Sequence, residues 1–179
     1  MMRDNLFLNR MLIYTNAGEI AYDEIFHKGV NIIRGDNSSG KSTITHFIFF
    51  ALGGDFSDFV PEARQCQVVY AEVDMNGAVL TIKRYIEIND KGKINSRIAM
   101  HFFWGSLDES LNPPKDKHWQ KFEFNTIPTK KSFSNVLFEN LNIPIVKGEN
   151  NISFHQILRL LYIDQESPTS SLLILSKKF

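Results

Sequence analysis

The sequence predicts an α/β fold of the P-loop NTPase class, and three observations carry that expectation. Residues 35–42, Gly-Asp-Asn-Ser-Ser-Gly-Lys-Ser, fit the pattern G-x-x-x-x-G-K-[ST]. A compact apolar run at 30–34 (VNIIR) feeds this loop and an apolar stretch at 42–52 leaves it, the strand–loop–helix order that the pattern needs. Two β-rich runs then flank Asn76-Gly77, the strongest short-range hairpin signal.

Taken in order, residues 6–15 (LFLNRMLIYT) read as a strand, with a second, shorter one at 19–26. The run at 30–34 is expected to be a buried strand. In the helix at 42–52, Ile44, Phe47, Ile48, Ala51 and Leu52 share one face, while Phe49 and Phe50 add apolar surface elsewhere, so the helix should be largely buried. Gly53-Gly54 ends it. Residues 67–75 and 78–88 form the predicted hairpin across a type I′ turn, and a third strand is expected at 94–103. Residues 105–129 hold Pro113, Pro114 and Pro128 among many charges and read as a surface excursion. Helices are expected at 132–141, stopped by Asn142 and Pro144, and at 153–161. The stretch 166–171 (ESPTSS) is turn-like.

The bulk numbers narrow the function. With 179 residues the chain suits one domain. Lysine plus arginine equals aspartate plus glutamate, 20 against 20, whereas a dedicated nucleic-acid module carries a basic excess. Any nucleic-acid contact must come from a local patch or from parts outside this sequence. The single Cys66 excludes an internal disulfide framework and fits a reducing, cytoplasmic setting. The first residues make a poor signal peptide, and no apolar run approaches the ~20 residues of a membrane span.

The loop's chemistry follows from its residue types. Gly35 and Gly40 let the backbone turn tightly, so that amides of Asp36, Asn37, Ser38 and Ser39 face inward as an anion nest. The helix beginning with Lys41, Ser42 and Thr43 adds the positive end of its dipole. Lys41 would reach the β- and γ-phosphates, and the Ser42 hydroxyl would ligate Mg²⁺. The implied ligands are a nucleoside triphosphate and Mg²⁺.

Gly29, Asn31, Ile33, Gly35, Asn37, Ser39, Gly40, Lys41, Ser42 and Thr43, followed by an apolar helix ending Leu52-Gly53-Gly54, resemble the SMC and RecN/RecF-like ATPases. These are ABC-type heads interrupted by a long coiled coil. Asn37 and Ser39 point there and away from GTPases and kinases. The resemblance covers roughly residues 6–171, and the heads of some SMC-like ATPases of bacterial anti-phage and anti-plasmid defence systems are similar. It implies an N-terminal lobe with antiparallel hairpins after the P-loop helix, ATP with Mg²⁺ as ligands, and a C-terminal lobe as partner. It further implies head–head dimers, action on DNA in the complete assembly, and no membrane. The lobe is assigned to residues 1–171, with 172–179 as a tail where a coiled coil would begin.

Asp164-Gln165, closing the run 157–163, admits three readings. Within the resemblance it is the Q-loop, with Gln165 reaching Mg²⁺ and the attacking water and coupling nucleotide state to lobe movement. The rival is a Walker B strand ending on Asp164. Against it, an ABC-type Walker B ends Asp-Glu, and Ile157, Leu160, Leu161 and Asp164 recur at helical spacing. The third is a core helix with a polar end. Arg84 is a separate anomaly, because period-2 alternation puts it on the apolar face of Leu80, Ile82, Ile86 and Ile88. A buried guanidinium requires a partner, expected to be acidic or phosphate, or else an edge position open to water. The five histidines show no metal-ligand spacing, and Lys115, Lys117, Lys121, Lys130 and Lys131 read as a solvated surface or a small basic patch.

An ABC-type head also needs a Leu-Ser-Gly-Gly-Gln signature, a Walker B Asp-Glu and a switch histidine. None is present, and only 14 residues follow Gln165. The expectation is therefore half of a head, which binds ATP but hydrolyses it only with a second lobe, as a truncation, a fragment or one piece of a split assembly. A self-contained P-loop phosphotransferase using Asp164 for Mg²⁺, or an inactive interaction protein, are the alternatives.

Overall fold

The computed structural model describes residues 5–127, 129–144 and 152–162. Strand β1 (Leu6–Thr15) and strand β2 (Ile20–Ile25) precede the P-loop, and helix α1 (Lys41–Ala51) follows it. A 3₁₀ turn at Pro61–Gln65 leads into β3 (Cys66–Met75) and β4 (Ala78–Tyr85), then β5 (Met100–Phe103), α2 (Leu107–Leu111), β6 (Gln120–Phe122), α3 (Phe133–Asn140) and α4 (Phe154–Leu161). The six strands form one sheet in the order β2-β1-β3-β4-β5-β6, with every neighbouring pair antiparallel.

Alternation along the strands sorts side chains to two faces. The inner face carries Met11 and Ile13 of β1, Val69, Ala71 and Val73 of β3, Leu80 and Ile82 of β4, and Met100 and Phe102 of β5, all buried. Helix α1 covers one half of it with Phe47, Phe50 and Ala51. Helix α3, with Phe133, Val136 and Leu137, and helix α4, with Phe154, cover the other half. Two packed clusters result, and α1 lies against β3 and β4. A bulge at Asn9, between the pairs Leu8↔Val73 and Arg10↔Glu72, keeps Leu8 facing inward while Arg10 faces out.

Asn76 and Gly77 both have positive φ, 54° and 86°, as the predicted I′ turn demands. Helix α3 starts at Ser132 through a capping box in which Ser132 and Asn135 each bond the other's backbone amide. Three expectations need correction. The run 30–34 forms no strand: it pairs with nothing among the described residues, and Val30 and Ile32 are 88% and 69% exposed. An apolar run becomes a strand only when a neighbour supplies its ladder, and none is at hand here. The third strand shrinks to Met100–Phe103, and Ile94 instead meets Ile88 in an isolated bridge beyond the end of β4. Finally, 105–129 lies largely at the surface, with 111–118 exposed, but parts of it fold onto the sheet. Helix α2 and β6 lie within it, and Leu107 is fully buried together with Phe103 and Leu12 on the outer side of the sheet. Among the described residues no helix is long and apolar enough to cross a membrane.

Candidate functional site

The loop between residue 34 and α1 folds as its residue types require. Ser38 and Gly40 take left-handed conformations, φ 64° and 84°, which turn the chain back on itself, and the Ser39 amide donates to the Asp36 carbonyl at 3.2 Å. A Cβ at Gly35 would stand 2.5 Å from Ser39 Oγ, so a side chain there would displace that hydroxyl from the loop. Helix α1 then begins at Lys41 with Gly40 as its cap, no side-chain cap and no acidic residue in its first turn. Its first free amides therefore point at open solvent with the positive end of the dipole behind them, the arrangement that takes a phosphate.

Lys41 closes over this loop. Its Nζ donates to the carbonyls of Gly35 at 2.8 Å and Asp36 at 2.5 Å, and reaches Ser39 Oγ at 3.5 Å. These are neutral acceptors in an exposed site, so an anionic phosphate oxygen is the stronger partner for the ammonium. Ser42 is exposed at the helix start, and Thr45 Oγ1 donates to the Ser42 carbonyl at 2.8 Å. Asp36, Asn37, Ser38 and Ser39 all lie exposed along the loop. Nucleotide phosphates fit the donors present, the uncapped amides and the Lys41 ammonium, and the exposed Ser42 hydroxyl offers an oxygen that suits Mg²⁺.

Behind the loop, residue 31 fixes the approach of the chain. Asn31 accepts from the His27 amide and donates to the His27 carbonyl, both at 2.8 Å, which ties off the segment before 30–34. Between that segment, the start of β1 and α1 runs a mostly apolar groove of about 490 Å³, lined by Leu6, Leu8, Phe26, Ile33 and Ile48 among others.

The far end of α1 is held by Arg84, fully buried on the inner face of β4. Its guanidinium donates to the carbonyls of Phe50, Gly54 (3.0 Å) and Ser96, and lies 3.9 Å from the centre of the Phe50 ring. The expected acidic or phosphate partner is thus replaced by main-chain carbonyls at a helix C-terminus, where the dipole is negative and a cation belongs. Burial pushes the guanidinium down to about 9, with the Asp55 charge pushing back. Asp55 itself bonds the Ser96 hydroxyl and Arg97. Burial raises its carboxyl, but those hydrogen bonds and the charges of Arg97 and His155 prevail and hold it below the ordinary range. Gly53 and Gly54 leave room for the rings packed beside this node, since a Cβ on either would stand 2.4 Å or less from the ring of Phe133 or Phe49.

Gln165 and Asp164, the other sequence-predicted site residues, lie outside the described residues. Helix α4 comes within reach of the loop's helix just before them: the Tyr162 ring packs 4.7 Å from that of Phe49 and 6.2 Å from that of His46. His155 at the start of α4 stacks on Phe124 at 5.3 Å, and Phe124 lies 5.7 Å from the Arg84 guanidinium. Sequence reasoning passed over His155 and Asp55. Only the misplaced Arg84 signalled that a polar node sits inside this core.

A glycine-turned loop at the N-terminus of a helix, closed by a lysine from that helix, defines a P-loop nucleotide-binding fold. The chain matches the family described as an AAA domain over residues 24–177, and it belongs to that family. The DNA double-strand break repair Rad50 ATPase of Nanoarchaeum equitans (strain Kin4-M) is 33% identical over 73 residues, covering 38% of this chain and 9% of that protein. No solved structure gives a significant match. Both findings agree with the SMC-like ATPase resemblance carried by residues 29–54.

Proposed function

We propose that the chain is the ATP-binding N-terminal lobe of an SMC-like, DNA-processing ATPase head, which hydrolyses ATP only when a C-terminal lobe completes it. The observation that supports this reading best is the segment 30–34. It delivers the chain to the P-loop, carries the apolar pattern of a buried strand, and leaves Val30 and Ile32 exposed beside an apolar groove of about 490 Å³. A second lobe offering strands to this segment would satisfy its backbone and bury those side chains together.

Within the lobe, Lys41 and the amides at the start of α1 bind the β- and γ-phosphates, and Gly35 and Gly40 allow the close backbone approach. The Ser42 hydroxyl, with Gln165, would hold Mg²⁺, which would supply neutralisation of the phosphates' charge. Gln165 positions the attacking water, and the general base comes with the other lobe. Two such heads pair across ATP, and the pair acts on DNA, in keeping with the repair role in the name of the Rad50 relative. Calorimetry with ATP and Mg²⁺ tests the reading. The chain should bind, Lys41→Ala should weaken binding at least tenfold, and steady-state turnover should stay negligible until the second lobe is added. Robust Lys41-dependent turnover by the chain alone, or ATP binding indifferent to Lys41→Ala, would overturn it.

A further inference from the structure

The outer face of the sheet carries a surface that the nucleotide site does not use. Antiparallel register places Tyr70 opposite Lys83, Lys83 opposite His101 and His101 opposite Lys121, a ladder running across β3, β4, β5 and β6. One step along, Tyr14 and Tyr85 both face Val68. Trp119, immediately before β6, lies over this ladder, its ring centre 6.1 Å from that of Tyr70 and 4.2 Å from the Lys83 ammonium. Lys83 also lies 5.4 Å from the centre of the Tyr85 ring, and Tyr85 meets His101 edge-on at 5.5 Å. Helix α2 covers the half of this face nearer the start of β1, through Leu107 and the Arg10–Asp108 ion pair, and leaves the ladder half to Trp119, with Tyr70, Lys83 and His101 half-buried and Tyr85 and Lys121 exposed.

The charge on the ladder half is positive and largely uncompensated. Among the described residues Lys83 has no carboxylate within ion-pair distance, and that of Lys121 is Glu123, at 3.9 Å. Lys121 and Lys130 continue the patch into a groove of about 430 Å³ along β6, the outermost strand. The nearest acid of β3, Glu72, is already engaged, accepting from the Leu107 amide at 2.7 Å. A chain of zero net charge therefore concentrates lysines among partly exposed aromatic rings on one flat face.

We propose that this face binds a single strand of nucleic acid, with bases stacked on Tyr85 and Trp119 and phosphates held by Lys83, Lys121 and Lys130. Rings and ammonium groups alternating over a flat sheet offer unpaired bases a π-face and the backbone a cation, whereas a duplex hides its base faces. The Lys83 ammonium sits against the Trp119 and Tyr85 rings, which hold that cation in place without a carboxylate partner. The proposal rests on the DNA partnership proposed above and gives it a surface on this chain. That surface is separate from the P-loop, so the two fail separately.

Fluorescence anisotropy of the full 179-residue chain with labelled 20-mers of oligo-dT, oligo-U and a DNA duplex tests it. A single strand of either sugar should bind at least fivefold tighter than the duplex. Lys83→Glu should weaken this at least tenfold. So should Lys121→Glu, an exposed position where the fold is not at risk. Lys83→Gln should lower the slope of log affinity against log salt by about 0.7, the value of one single-strand phosphate contact. With Trp104→Phe, Trp119 remains as the sole tryptophan, and saturation with unlabelled oligo-dT should quench it. Lys41→Ala should leave all of this unchanged. Absent single-strand binding, equal or tighter duplex binding, affinity indifferent to Lys121→Glu, unquenched Trp119, or loss with Lys41→Ala would each overturn the proposal.

Discussion

Replacing Arg84 by methionine removes the cation from the far end of the P-loop helix while keeping most of the side-chain volume. Three carbonyls lose a donor, but not equally. The Phe50 carbonyl retains the Gly53 amide at 2.9 Å, whereas no second donor reaches those of Gly54 and Ser96 among the described residues. Two orphaned buried acceptors cost about 1–3 kcal/mol each. The desolvated contact with the Phe50 ring, 3.9 Å away, adds about 1–2 kcal/mol. Relief from burying a charge offsets part of this, a relief whose direction shows in the lowered guanidinium pKa of about 9. The net loss should be roughly 3 kcal/mol, or about 6–12 °C in midpoint for a chain of this size.

The assay is urea unfolding followed by circular dichroism at pH 7, with thermal melts beside it. Arg84→Lys discriminates the mechanism. Its ammonium keeps the charge but not the fork that spans carbonyls on both sides, so it should recover less than half of the loss. A methionine variant within about 2 °C of the parent would refute the reasoning. So would a lysine variant as stable as the parent, because bare charge at the helix end would then suffice.

The exposed apolar segment at 30–34 should make the chain self-associate, and Ile32→Lys should reduce this, Ile32 being 69% exposed; light scattering that shows a monomer, or no change in apparent mass on substitution, would count against it. Stability should also fall below about pH 6.5. Burial lowers the pKa of both His101 and His155, with Lys83 and Lys121 adding to the effect at His101 and Arg97 at His155. The unfolded chain then binds more protons than the folded one between the lowered values and about 6.5, so stability drops as pH falls through that window. The slope is at most about 1.4 kcal/mol per pH unit for each histidine. Urea midpoints from pH 7.5 to 5 should show the drop, and His155→Gln should flatten it; a flat parent profile would refute the assignment. Asp55 does not confuse the reading, because its carboxyl is held below its usual range and its contribution is lost only at lower pH.

The P-loop was legible because its geometry is local. Lys41 bonds the Gly35 and Asp36 carbonyls within a span of a few residues, and among the described residues no distant partner bonds it. The Asn76-Gly77 turn was legible for the same reason, two left-handed residues being a property of two side chains. Residues 30–34 misled because a strand is a relation between segments, and their apolar pattern describes a partner that the described residues do not contain. Arg84 stood between these cases. Alternation correctly placed it inside, but a helix end has no residue letter, so the carbonyls of Phe50, Gly54 and Ser96 could not be read as its partners. The Lys83 ladder was invisible for the reason that applies to 30–34, since cross-strand neighbours come from four separate stretches.

One physical arrangement joins these parts. Helix α1 presents uncapped amides to solvent at one end and is gripped by a buried cation at the other, so an anion bound at Lys41 and the Arg84 guanidinium act on the same dipole from opposite sides. Two aromatic contacts hold α4, one of them directly on that helix. Tyr162 meets Phe49 and His46, and His155 meets Phe124, whose ring also faces Arg84. Of these contacts only that of Tyr162 touches α1 directly, so a displacement of α1 would bear on the chain just after α4. Dense packing transmits such a displacement rather than absorbing it. Gln165 follows three positions after Tyr162 in the sequence, which makes the Tyr162–Phe49 contact the place to test for any coupling to the proposed glutamine.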